Sequence, residues 1–438
     1  MYLGIDVGTT SVCAVLLNEK GESVFSETRK NDAHFPPQGA KRMQDPEKIF
    51  ALVRELYEKA EAIRPVKSVG FSGQMHGVLY VDENGNALSP LYSWQDGRGN
   101  EKTETGETYA EKLSRLTGYP AATGFGATSL FYDAENGQIP PSAAKIVTIG
   151  DYCAMRLSGR KTPLLHRTNA ASLGLFDVKK GAFDLAAIRS ARLPETLFPA
   201  VTGKAEELGK TAKGAAVFTA IGDNQASVYG AENSDRALIL NVGTGSQISA
   251  VVTEIPKAIP EGTELRPYLN GKYLLTGSAL CGGRAYDLLR QFFLAVNPAL
   301  TYDKMNEWAA EGKKAKDPPV FDTRFCGTRQ DPTKRASVSG LSPDNFRPTE
   351  LTYAALAGIS GELKALYEKC LPFCEKREIL VGSGNAIRLN PVLREIACED
   401  FGLSLHVPRH TEEAAFGAAL IAAEKAENRS MKHFIAYL

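Results

Sequence analysis

The sequence has no excess of charge of either sign. Its 438 residues contain 51 lysines and arginines against 51 aspartates and glutamates, so the formal net charge is zero. Proteins that bind nucleic acid or an anionic membrane surface carry a basic patch or cluster, which this balance does not indicate. We therefore expect no nucleic-acid partner and no membrane association.

Long apolar runs and paired cysteines are also lacking. No run of about 18 apolar residues occurs that would span a bilayer, and a strand predicted from residue 2 argues against a signal peptide. The 7 cysteines are scattered without a C-x-x-C pair, which favours free thiols over a disulfide framework or a zinc site. We expect a cytoplasmic globular protein, with two or three domains at this length.

Two common signatures of phosphate-binding enzymes are missing as well. The nearest approach to a P-loop is Gly203 with Gly209-Lys210-Thr211, but five residues separate the glycines where the motif has four. No glycine-rich loop with H-R-D and D-F-G marks a protein kinase. A phosphate site in this chain must therefore use another kind of turn.

What the sequence does contain is a hairpin with a glycine–threonine turn at its start. The runs Leu3–Val7 and Val12–Leu17 predict two antiparallel strands joined by Gly8–Ser11. Small side chains let the backbone N–H groups of such a turn approach an anion. Asp6 lies beside the turn and would repel phosphate unless a cation such as Mg²⁺ lay between them. Taken alone, the hairpin is equally well explained as a surface β-turn with an incidental aspartate.

A second copy of this hairpin favours the phosphate-binding explanation over an incidental surface turn. Residues 237–252 repeat residues 2–17 without a gap, and the turn Gly243–Ser246 corresponds to Gly8–Ser11. Asn241 stands where Asp6 stood. A repeat this long indicates two duplicated domains, because solenoid repeats have periods of about 20–50 residues.

Strands that end in glycine and pass into helices recur in both halves. Gly282-Gly283 follows a predicted strand at Tyr273–Thr276, and Gly382–Asn385 follows one at Glu378–Val381. This alternation predicts an α/β fold whose sites lie at the carboxyl ends of strands. We expect the two halves to face each other and to hold a polyphosphate between them.

Caps and periodicity predict several further elements. Asp45-Pro46-Glu47 begins a helix that ends near Ile63. Strands are predicted at Val147–Ile149, Val217–Ile221 and Leu403–Val407, and an alanine-rich helix at Glu412–Glu427. The polar segment 231–236 is the predicted boundary between the halves.

Asp223 is the candidate general base. It follows the predicted strand Val217–Ile221, between Gly222 and polar side chains, which would expose its carboxylate in a cleft. Phosphoryl transfer to a hydroxyl needs an acceptor for the proton, and an aspartate suffices because the transition state is loose. The alternative is that Asp223 caps a helix over Asn224–Gly230 by bonding its first amides.

Two polar clusters in the first half suit a polyol. One is Gln74-Met75-His76-Gly77, and the other is Trp94-Gln95-Asp96-Gly97-Arg98. In the second, an indole ring offers a face to sugar C–H groups, and the charged pair offers partners for hydroxyls. The alternative for each cluster is that His76 or Trp94 is a packed core residue. Both clusters share a half with Asp223, which predicts a sugar-binding half and a nucleotide-binding half.

These motifs resemble the FGGY carbohydrate kinases of the actin/hexokinase/Hsp70 superfamily over nearly the whole chain. GIDVGTTS is similar to that family's first phosphate motif, NVGTGS to its second, VGSGN to its adenosine motif and GDN at 222–224 to the segment with its catalytic base. SGQMHG at 72–77 resembles the sugar motif of the xylulokinase branch. Five stretches look most like the sedoheptulokinase branch: WQDGR at 94–98, ATGFG at 122–126, Asp151-Tyr152, NAAS at 169–172 and GDNQAS at 222–227.

The resemblance implies two duplicated ribonuclease-H-like α/β domains with a central cleft. Residues 1–233 would bind the sugar and carry the base, and residues 234–438 would bind the nucleotide. It implies an ATP- and Mg²⁺-dependent kinase that phosphorylates a primary hydroxyl of a ketose. Sedoheptulose is the first candidate, with xylulose or another pentulose or polyol as the alternative. A non-catalytic nucleotide sensor of the same superfamily is the rival from another class, and a homodimer is left open.

The site residues that the resemblance implies fall into three groups. Asp223 is the base and, together with Asp6, holds Mg²⁺ through water. The sugar contacts are Gln74, Met75, His76, Trp94, Asp96, Arg98 and Asp223. The ATP contacts are Gly8, Thr9, Thr10, Ser11, Gly243, Thr244, Gly245, Ser246, Gly282, Gly283, Gly382, Ser383, Gly384 and Asn385.

The sequence departs from the family pattern in two places. Asn385-Ala386-Ile387-Arg388 follows the adenosine loop, where Ala-Lys or a similar pair is common. The region 312–349, which includes GTRQDP at 327–332, is loop-rich and compact. We expect the first departure to affect contacts to the base and the second to affect closure over the nucleotide.

Overall fold

The structure, a computed structural model, describes residues 1–328, 331 and 333–438. Part of the GTRQDP segment therefore lies outside the described residues. The chain divides into two compact units, both of which combine sheets with helices, and this confirms the predicted α/β class. Unit 1 comprises Met1–Gly230, Pro267–Gly271 and Glu412–Ile435, and unit 2 comprises Ala231–Arg266, Lys272–Thr411 and Ala436–Leu438.

The strands of unit 1 are β1 Tyr2–Val7, β2 Ser11–Leu17, β3 Ser23–Lys30, β4 Met43–Gln44, β5 Ser68–Gly73, β6 Leu79–Val81, β7 Leu91–Tyr92, β8 Lys145–Val147, β9 Leu164–His166, β10 Phe176–Asp177, β11 Ala182–Phe183, β12 Ala200–Thr202, β13 Glu207–Lys210, β14 Ala216–Phe218 and β15 Ile221–Gly222. The main sheet of this unit is mixed and has the order β13-β14-β5-β1-β2-β3, with β15 also paired to β5. β1 is antiparallel to β2 and parallel to β5.

Unit 2 repeats the hairpin arrangement of unit 1. Its main sheet has the order β18-β19-β17-β16-β22-β23, and β16 is antiparallel to β17 and parallel to β22. β16 and β17 begin and end at the same offset from β1 and β2 (237 less 2 is 235), so the predicted duplication is confirmed. The strands are β16 Ala237–Val242, β17 Ser246–Val252, β18 Thr263–Pro267, β19 Tyr273–Ala279, β20 Val320–Asp322, β21 Ser337–Ser339, β22 Ile379–Ser383 and β23 Leu405–His406.

Helices cover the sheets of both units. Within the described residues, no helix combines the length and the apolar character needed to cross a bilayer. The helices are α1 Pro46–Ile63, α2 Tyr109–Thr117, α3 Gly126–Glu135, α4 Ile149–Leu157, α5 Arg167–Ser172, α6 Leu185–Ser190, α7 Asp223–Ala231, α8 Gly283–Leu294, α9 Tyr302–Gly312, α10 Pro348–Cys370, α11 Asn385–Leu389, α12 Pro391–Phe401 and α13 Glu413–Glu427.

α1 begins and ends where its sequence signals predict. The Asp45 carboxylate accepts hydrogen bonds from the backbone of Glu47 (2.9 Å) and Lys48 (3.2 Å), and Pro46 occupies the first helical position. These groups satisfy amides that the helix itself leaves without partners. The apolar residues at helical spacing, Ile49, Val53, Leu56 and Ala60, are all buried in the core of unit 1.

α13 packs on the sheet of unit 1, although its sequence lies in the segment 234–438. A Cβ atom at Gly4 of β1 would lie 1.9 Å from the Ala415 carbonyl oxygen, and one at Gly70 of β5 would lie 2.0 Å from that of Ala418. The glycines and the alanine-rich face of α13 therefore let the helix backbone approach the strands directly. The assignment of functions to residues 1–233 and 234–438 stays a prediction.

Several strand predictions were wrong in their bounds. β19 continues past the predicted end at Thr276 to Ala279, and β22 is Ile379–Ser383 where 378–381 was predicted. β8 ends at Val147, because Thr148 caps α4 and accepts a hydrogen bond from Asp151 N at 3.4 Å. The strand predicted over 217–221 is divided into β14 and β15, since Ala216 pairs with Ser68 and Ile221 with Ser72, which leaves one extra residue between them. The strand predicted over 403–407 is limited to β23.

Candidate active site

The turn between β1 and β2 directs its carbonyl groups into the protein. The carbonyl oxygens of Gly8 and Thr10 accept hydrogen bonds from Asn31 Nδ2 (3.1 Å) and Asn31 N (2.9 Å). The Thr9 carbonyl accepts one from Gln44 Nε2 at 2.9 Å. Because the protein's own donors occupy the carbonyl side, the turn has the polarity that an anion-binding loop requires.

Asp6 lies on β1 next to this turn. Ser72, its partner on β5, donates a hydrogen bond of 2.7 Å from Oγ to Asp6 Oδ1. The pKa of Asp6 is raised to about 7, chiefly by burial and then by the charges of Asp223 and Glu412, against the lowering effect of the Ser72 hydrogen bond. The structure thus brings Asp223 close enough to Asp6 to disfavour the ionised form of Asp6.

Asp223 is the first residue of α7 and directly follows β15. Its side chain is half-buried, and Oδ1 accepts a 2.7 Å hydrogen bond from Asn224 N. A helix cap accepts a hydrogen bond from the amide two or three residues on, whereas this contact is to the next residue and Asp223 already lies inside α7. The contact is compatible with proton transfer, because a carboxylate has two oxygens.

These two carboxylates suit a hydrated divalent cation. Among the described residues, no group of three or more His, Cys, Asp or Glu side chains is placed to hold a metal ion directly. Mg²⁺ keeps several of its waters and commonly uses one or two carboxylates together with substrate phosphates. A cation would also favour the ionised form of Asp6, whose pKa is raised, so the donor set fits Mg²⁺ held through water.

The first predicted sugar cluster follows β5 and packs beside the candidate base. Gln74 and Met75 are buried, and a Cβ atom at Gly222 would lie 2.9 Å from Met75 Sδ. Met75 therefore packs against the residue that precedes Asp223. The structure brings this part of the predicted sugar site and the candidate base together in unit 1.

His76 is held in one orientation by its neighbours. Its φ angle is +72°, its backbone N–H donates to Ser172 Oγ at 3.1 Å, and its Nδ1 lies 2.8 Å from the Ser172 carbonyl. The imidazole stacks on Phe125, with ring centroids 4.6 Å apart. Because the Ser172 carbonyl can only accept, Nδ1 carries the proton and Nε2 is the acceptor.

Trp94 and Gln74 are both linked to the first turn through Thr9. The indole Nε1 of Trp94 donates to Thr9 Oγ1 at 2.9 Å, and Thr9 Oγ1 donates to Gln74 Oε1 at 3.1 Å. Trp94 is 47% exposed and so is not a packed core residue. The proton of the Thr9 hydroxyl is committed to Gln74, so a phosphate contact at Thr9 would use its backbone amide.

Asp96 and Arg98 are buried and pair with other protein groups. The side chains are 0% and 2% exposed, and Arg98 Nε donates to Asp96 Oδ1 at 2.8 Å. Arg98 Nη1 also lies 2.8 Å from Asp133 Oδ1, and its guanidinium carbon lies 3.6 Å from the centroid of the Tyr92 ring. This arrangement favours a structural role for the pair in holding the Trp94 loop.

The ATGFG stretch packs on the Trp94 loop. Thr123 Oγ1 donates to the Asp96 carbonyl at 3.0 Å. Gly124 has φ +82°, and a Cβ atom there would lie 1.9 Å from the Trp94 carbonyl oxygen, so both its conformation and its contact require glycine. Together with the stacking of Phe125 on His76, these contacts join the two sugar clusters.

A buried network supports the strand that leads to the base. Thr148 Oγ1 and Asn169 Nδ2 donate to Asp151 Oδ2 at 2.7 and 2.8 Å. In the same short helix as Asn169, Thr168 Oγ1 accepts a hydrogen bond from Gly222 N at 3.1 Å. Burial raises the pKa of Asp151 to about 7. The helix α5 therefore holds β15 through Thr168 and is itself held by Asp151 through Asn169.

In unit 2, the second turn is closely covered by the glycine pair that begins α8. Gly282 N and Gly283 N donate to the carbonyls of Thr244 (3.0 Å) and Gly243 (2.8 Å). A Cβ atom at Gly282 would lie 2.6 Å from the Gly245 backbone, and one at Gly283 would lie 2.7 Å from the Gly243 carbonyl oxygen. The predicted ATP contacts at these positions thus form one compact backbone surface.

The adenosine-motif loop borders the same turn. Gly384 has φ +83°, and a Cβ atom there would lie 2.5 Å from the carbonyl oxygen of Val242, the last residue of β16. Asn385 then begins α11. Within unit 2 the structure therefore brings the 243–246, 282–283 and 382–385 segments together, and it places the 8–11 turn with the sugar clusters in unit 1.

Three supporting residues were missed by the sequence analysis. Asn31 and Gln44 bond the first turn, and Ser72 bonds Asp6. Ser72 begins the SGQMHG stretch, and Gln44 directly precedes the Asp45 cap. The available signal was therefore a polar residue next to a recognised motif. Asn31 carried no such signal, because it lies in a stretch with loop composition.

Comparison with known proteins gives a consistent result over the chain. The model of the FGGY family of carbohydrate kinases, N-terminal domain, matches residues 1–237, and that of the C-terminal domain matches residues 238–426. Sedoheptulokinase of Mus musculus is 30% identical in an alignment 473 positions long, gaps included. The alignment covers 96% of this chain and 96% of that protein. Xylulose kinase of Klebsiella pneumoniae is 29% identical, with 91% of this chain and 85% of that protein covered.

The fold is also similar to that of solved structures. The crystal structure of xylulose kinase from Rhodospirillum rubrum matches with a TM-score of 0.87 at 20% sequence identity. The match covers 100% of this chain and 93% of that one. This likeness confirms the predicted class of two duplicated domains of the actin-like ATPase type.

Proposed function

The chain belongs to the FGGY family of carbohydrate kinases, as its motifs predicted, and we propose that it phosphorylates a primary hydroxyl of sedoheptulose. It is a sugar kinase with ATP as co-substrate. Xylulose is the second candidate substrate, because a xylulose kinase is similar over 91% of the chain. Membership of a family of enzymes argues against the non-catalytic sensor.

The observation that carries this proposal is the contact between the sugar cluster and the base. Met75 packs against Gly222, one residue before Asp223, and Asp6 lies within electrostatic reach of Asp223. A sugar hydroxyl at this point of unit 1 would meet a proton acceptor and a carboxylate pair suited to Mg²⁺. A sugar kinase needs these groups at one place.

In the reaction we propose, Asp223 accepts the proton of the sugar hydroxyl. The hydroxyl oxygen forms a bond to the γ-phosphorus of ATP, the bond from that phosphorus to the β-γ bridging oxygen breaks, and ADP leaves. Asp6 and Asp223 would hold Mg²⁺ through water, and the ion would neutralise charge on the phosphate oxygens. The Asn224 amide on Oδ1 orients the Asp223 carboxylate.

Four segments would bind the phosphates and the adenosine. In unit 1 the segment is Gly8–Ser11, whose carbonyls are bonded to Asn31 and Gln44. In unit 2 the segments are Gly243–Ser246, Gly382–Asn385 and Gly282-Gly283. The amides of Gly282 and Gly283 donate to the Thr244 and Gly243 carbonyls, so this pair would offer ATP a close glycine surface and no amide donors. The uncapped N-terminus of α8 adds a favourable dipole for negative charge.

Gln74, Met75, His76 and Trp94 would contact the sugar. Trp94 offers an exposed indole face, and His76 Nε2 is the acceptor side of an oriented ring. We assign Asp96 and Arg98 to the support of the Trp94 loop, because both side chains are buried and form an ion pair with each other. The ATGFG stretch packs on this cluster through Phe125 and Gly124, and the 30% identity to a sedoheptulokinase favours the seven-carbon ketose.

The test of the base is Asp223→Asn, because asparagine keeps an oxygen for the Asn224 amide but is a far weaker base than aspartate. We expect kcat to fall by about 10²–10⁴-fold, with urea stability close to that of the wild type. The matched control is Asp184→Asn, which changes the cap of α6 (Asp184 Oδ1 to Ala186 N, 2.9 Å). If Asp223→Asn kept the wild-type kcat, the assignment of the base would be wrong.

A further inference from the structure

A closed ring of hydrogen bonds joins the first turn to the sugar cluster, and Gln44 completes it. Gln44 Nε2 donates to the Thr9 carbonyl at 2.9 Å, and Gln44 Oε1 accepts from Gln74 Nε2 at 2.8 Å. Gln74 Oε1 then accepts from Thr9 Oγ1 at 3.1 Å, and Trp94 Nε1 donates to the same hydroxyl. We call these residues, Thr9, Gln44, Gln74 and Trp94, the Thr9 ring.

The orientation of each amide in the Thr9 ring depends on Gln44. Gln44 is 0% exposed and Gln74 is 3% exposed, so water does not readily replace a missing partner. Without Gln44, the buried Gln74 Nε2 donor would lose its acceptor, and the half-buried Thr9 carbonyl would keep only its contact with His34 Nε2 at 3.1 Å. A buried donor without an acceptor is unfavourable, so the Gln74 amide would rotate or the turn would move.

We propose that Gln44 is a positioning residue that couples the nucleotide turn to the sugar cluster. It fixes the backbone of Thr9, which would bind phosphate, relative to Gln74 and Trp94, which would bind the sugar. Gln44 itself touches neither substrate. The inference rests on the proposed contacts of ATP and sugar. It adds the residue that keeps the ATP phosphate and the sugar hydroxyl aligned for phosphoryl transfer.

The first test separates turnover from binding. Gln44→Leu removes both hydrogen bonds at nearly constant volume, and Gln38→Leu changes an exposed glutamine of the same loop segment as the matched control. A displacement of about 1 Å costs on the order of 10²-fold in rate. We therefore expect a loss of that size in kcat for Gln44→Leu, with KM for ATP and sugar within about threefold of the wild type. Equal kcat in Gln44→Leu and Gln38→Leu would overturn the proposal.

The second test is rescue by protonation. In Gln44→Glu a protonated carboxyl donates to the Thr9 carbonyl as the amide does, whereas the ionised form has no proton to donate. We expect the ratio of variant to wild-type kcat to rise as pH falls through the pKa of Glu at this position, and the ratio for Gln44→Leu to stay flat. His34 Nε2 lies 3.2 Å from Gln44 Nε2 and 3.1 Å from the Thr9 carbonyl oxygen, so both ratios are measured in a His34→Gln background, which removes the imidazole. A flat ratio for Gln44→Glu would contradict the role of the Thr9 hydrogen bond.

The third test needs no sugar and therefore separates this inference from the proposed substrate. The chain has two tryptophans, and Trp308→Phe leaves Trp94 as the fluorescent reporter of the Thr9 ring. We expect ATP to change the Trp94 emission in this background, and Gln44→Leu to abolish the change while Gln38→Leu retains it. An unaltered response in Gln44→Leu would overturn the coupling even if a ketose is phosphorylated. Conversely, a lost response together with no turnover on any ketose would support the coupling and reject the substrate.

Discussion

The Ser72 hydroxyl donates a 2.7 Å hydrogen bond to Asp6, its partner across the parallel strands β1 and β5. In unit 2 the corresponding pair is Asn241 and Ser383, which face each other across β16 and β22 in the same way. The duplicated strands therefore keep the serine and exchange the acid for an amide. Only the first copy retains an ionisable side chain at this position, which in our proposal helps to hold the metal ion.

This difference predicts the effect of making the two copies alike. In Asp6→Asn we expect Mg²⁺-dependent turnover to fall by about 10²-fold or more, because a carboxylate that holds the hydrated ion is lost. The dissociation constant of ATP, measured by calorimetry, should change far less, since the backbone amides of the turn are unaffected. Equal losses in turnover and in ATP affinity would contradict a separate metal role for Asp6.

The reciprocal change, Asn241→Asp, adds a carboxylate beside the turn of unit 2. We expect it to weaken ATP binding, because an additional negative charge there repels phosphate without a metal role to offset it. Isothermal titration with ATP at low and high salt measures the effect, which should shrink as salt screens the repulsion. An ATP affinity as high as that of the wild type would count against phosphate binding at Gly243–Ser246.

Two glycine substitutions test the backbone surface of unit 2. In Gly282→Ala the new methyl group would lie 2.6 Å from the Gly245 backbone, so the turn must shift, and we expect ATP affinity to fall by about tenfold or more. Gly361→Ala lies within α10 and meets no atom within 4 Å among the described residues. It should keep ATP affinity and raise stability by up to about 1 kcal/mol. Unchanged ATP binding in Gly282→Ala would remove the glycine pair from the nucleotide site.

The hairpins and the capped helix α1 could be predicted because their signals are local. The break between β14 and β15 could not, since it depends on register with β5, far away in the chain. The packing of α13 on Gly4 and Gly70 was equally inaccessible, because nothing in an alanine-rich helix specifies which sheet it covers.

The candidate site shows the same division between local and long-range signals. Asp223 and the glycine turns stand in compact motifs, which made them visible in the sequence. Gln44 bonds partners 35 and 30 residues away, and Arg98 pairs with Asp133 at a separation of 35 residues. The sequence therefore identified Arg98 as a polar residue in a promising loop, but its burial and its second partner emerged only from the structure.

That burial predicts a loss of stability for Arg98→Met. Removing the guanidinium leaves Asp96 and Asp133 buried without their cation, which typically costs about 3–5 kcal/mol. Urea unfolding monitored by circular dichroism should show a clearly lower midpoint. A variant with unchanged stability and a raised KM for the sugar would instead return Arg98 to the substrate contacts that the sequence suggested.

Asp151 predicts a pH dependence of stability with a defined sign. Burial raises its pKa in the folded protein to about 7, above the value of about 3.9 in an unfolded chain. Its contribution is therefore fully favourable below about pH 4 and is lost as pH rises through about 7. Asp151→Asn, which keeps an oxygen for Thr148 and Asn169, removes this titration. Its stability relative to the wild type should rise between about pH 5 and pH 8, and a constant difference in urea unfolding would contradict the burial effect.

The most direct test of the proposed function is a coupled assay of ADP release by the wild-type protein across ketoses and polyols. The account predicts the highest kcat/KM with sedoheptulose, a lower value with xylulose, little release without sugar, and a product phosphorylated on a primary hydroxyl by ³¹P NMR. Preference for a polyol such as glycerol, or ADP release that no ketose stimulates, would contradict it.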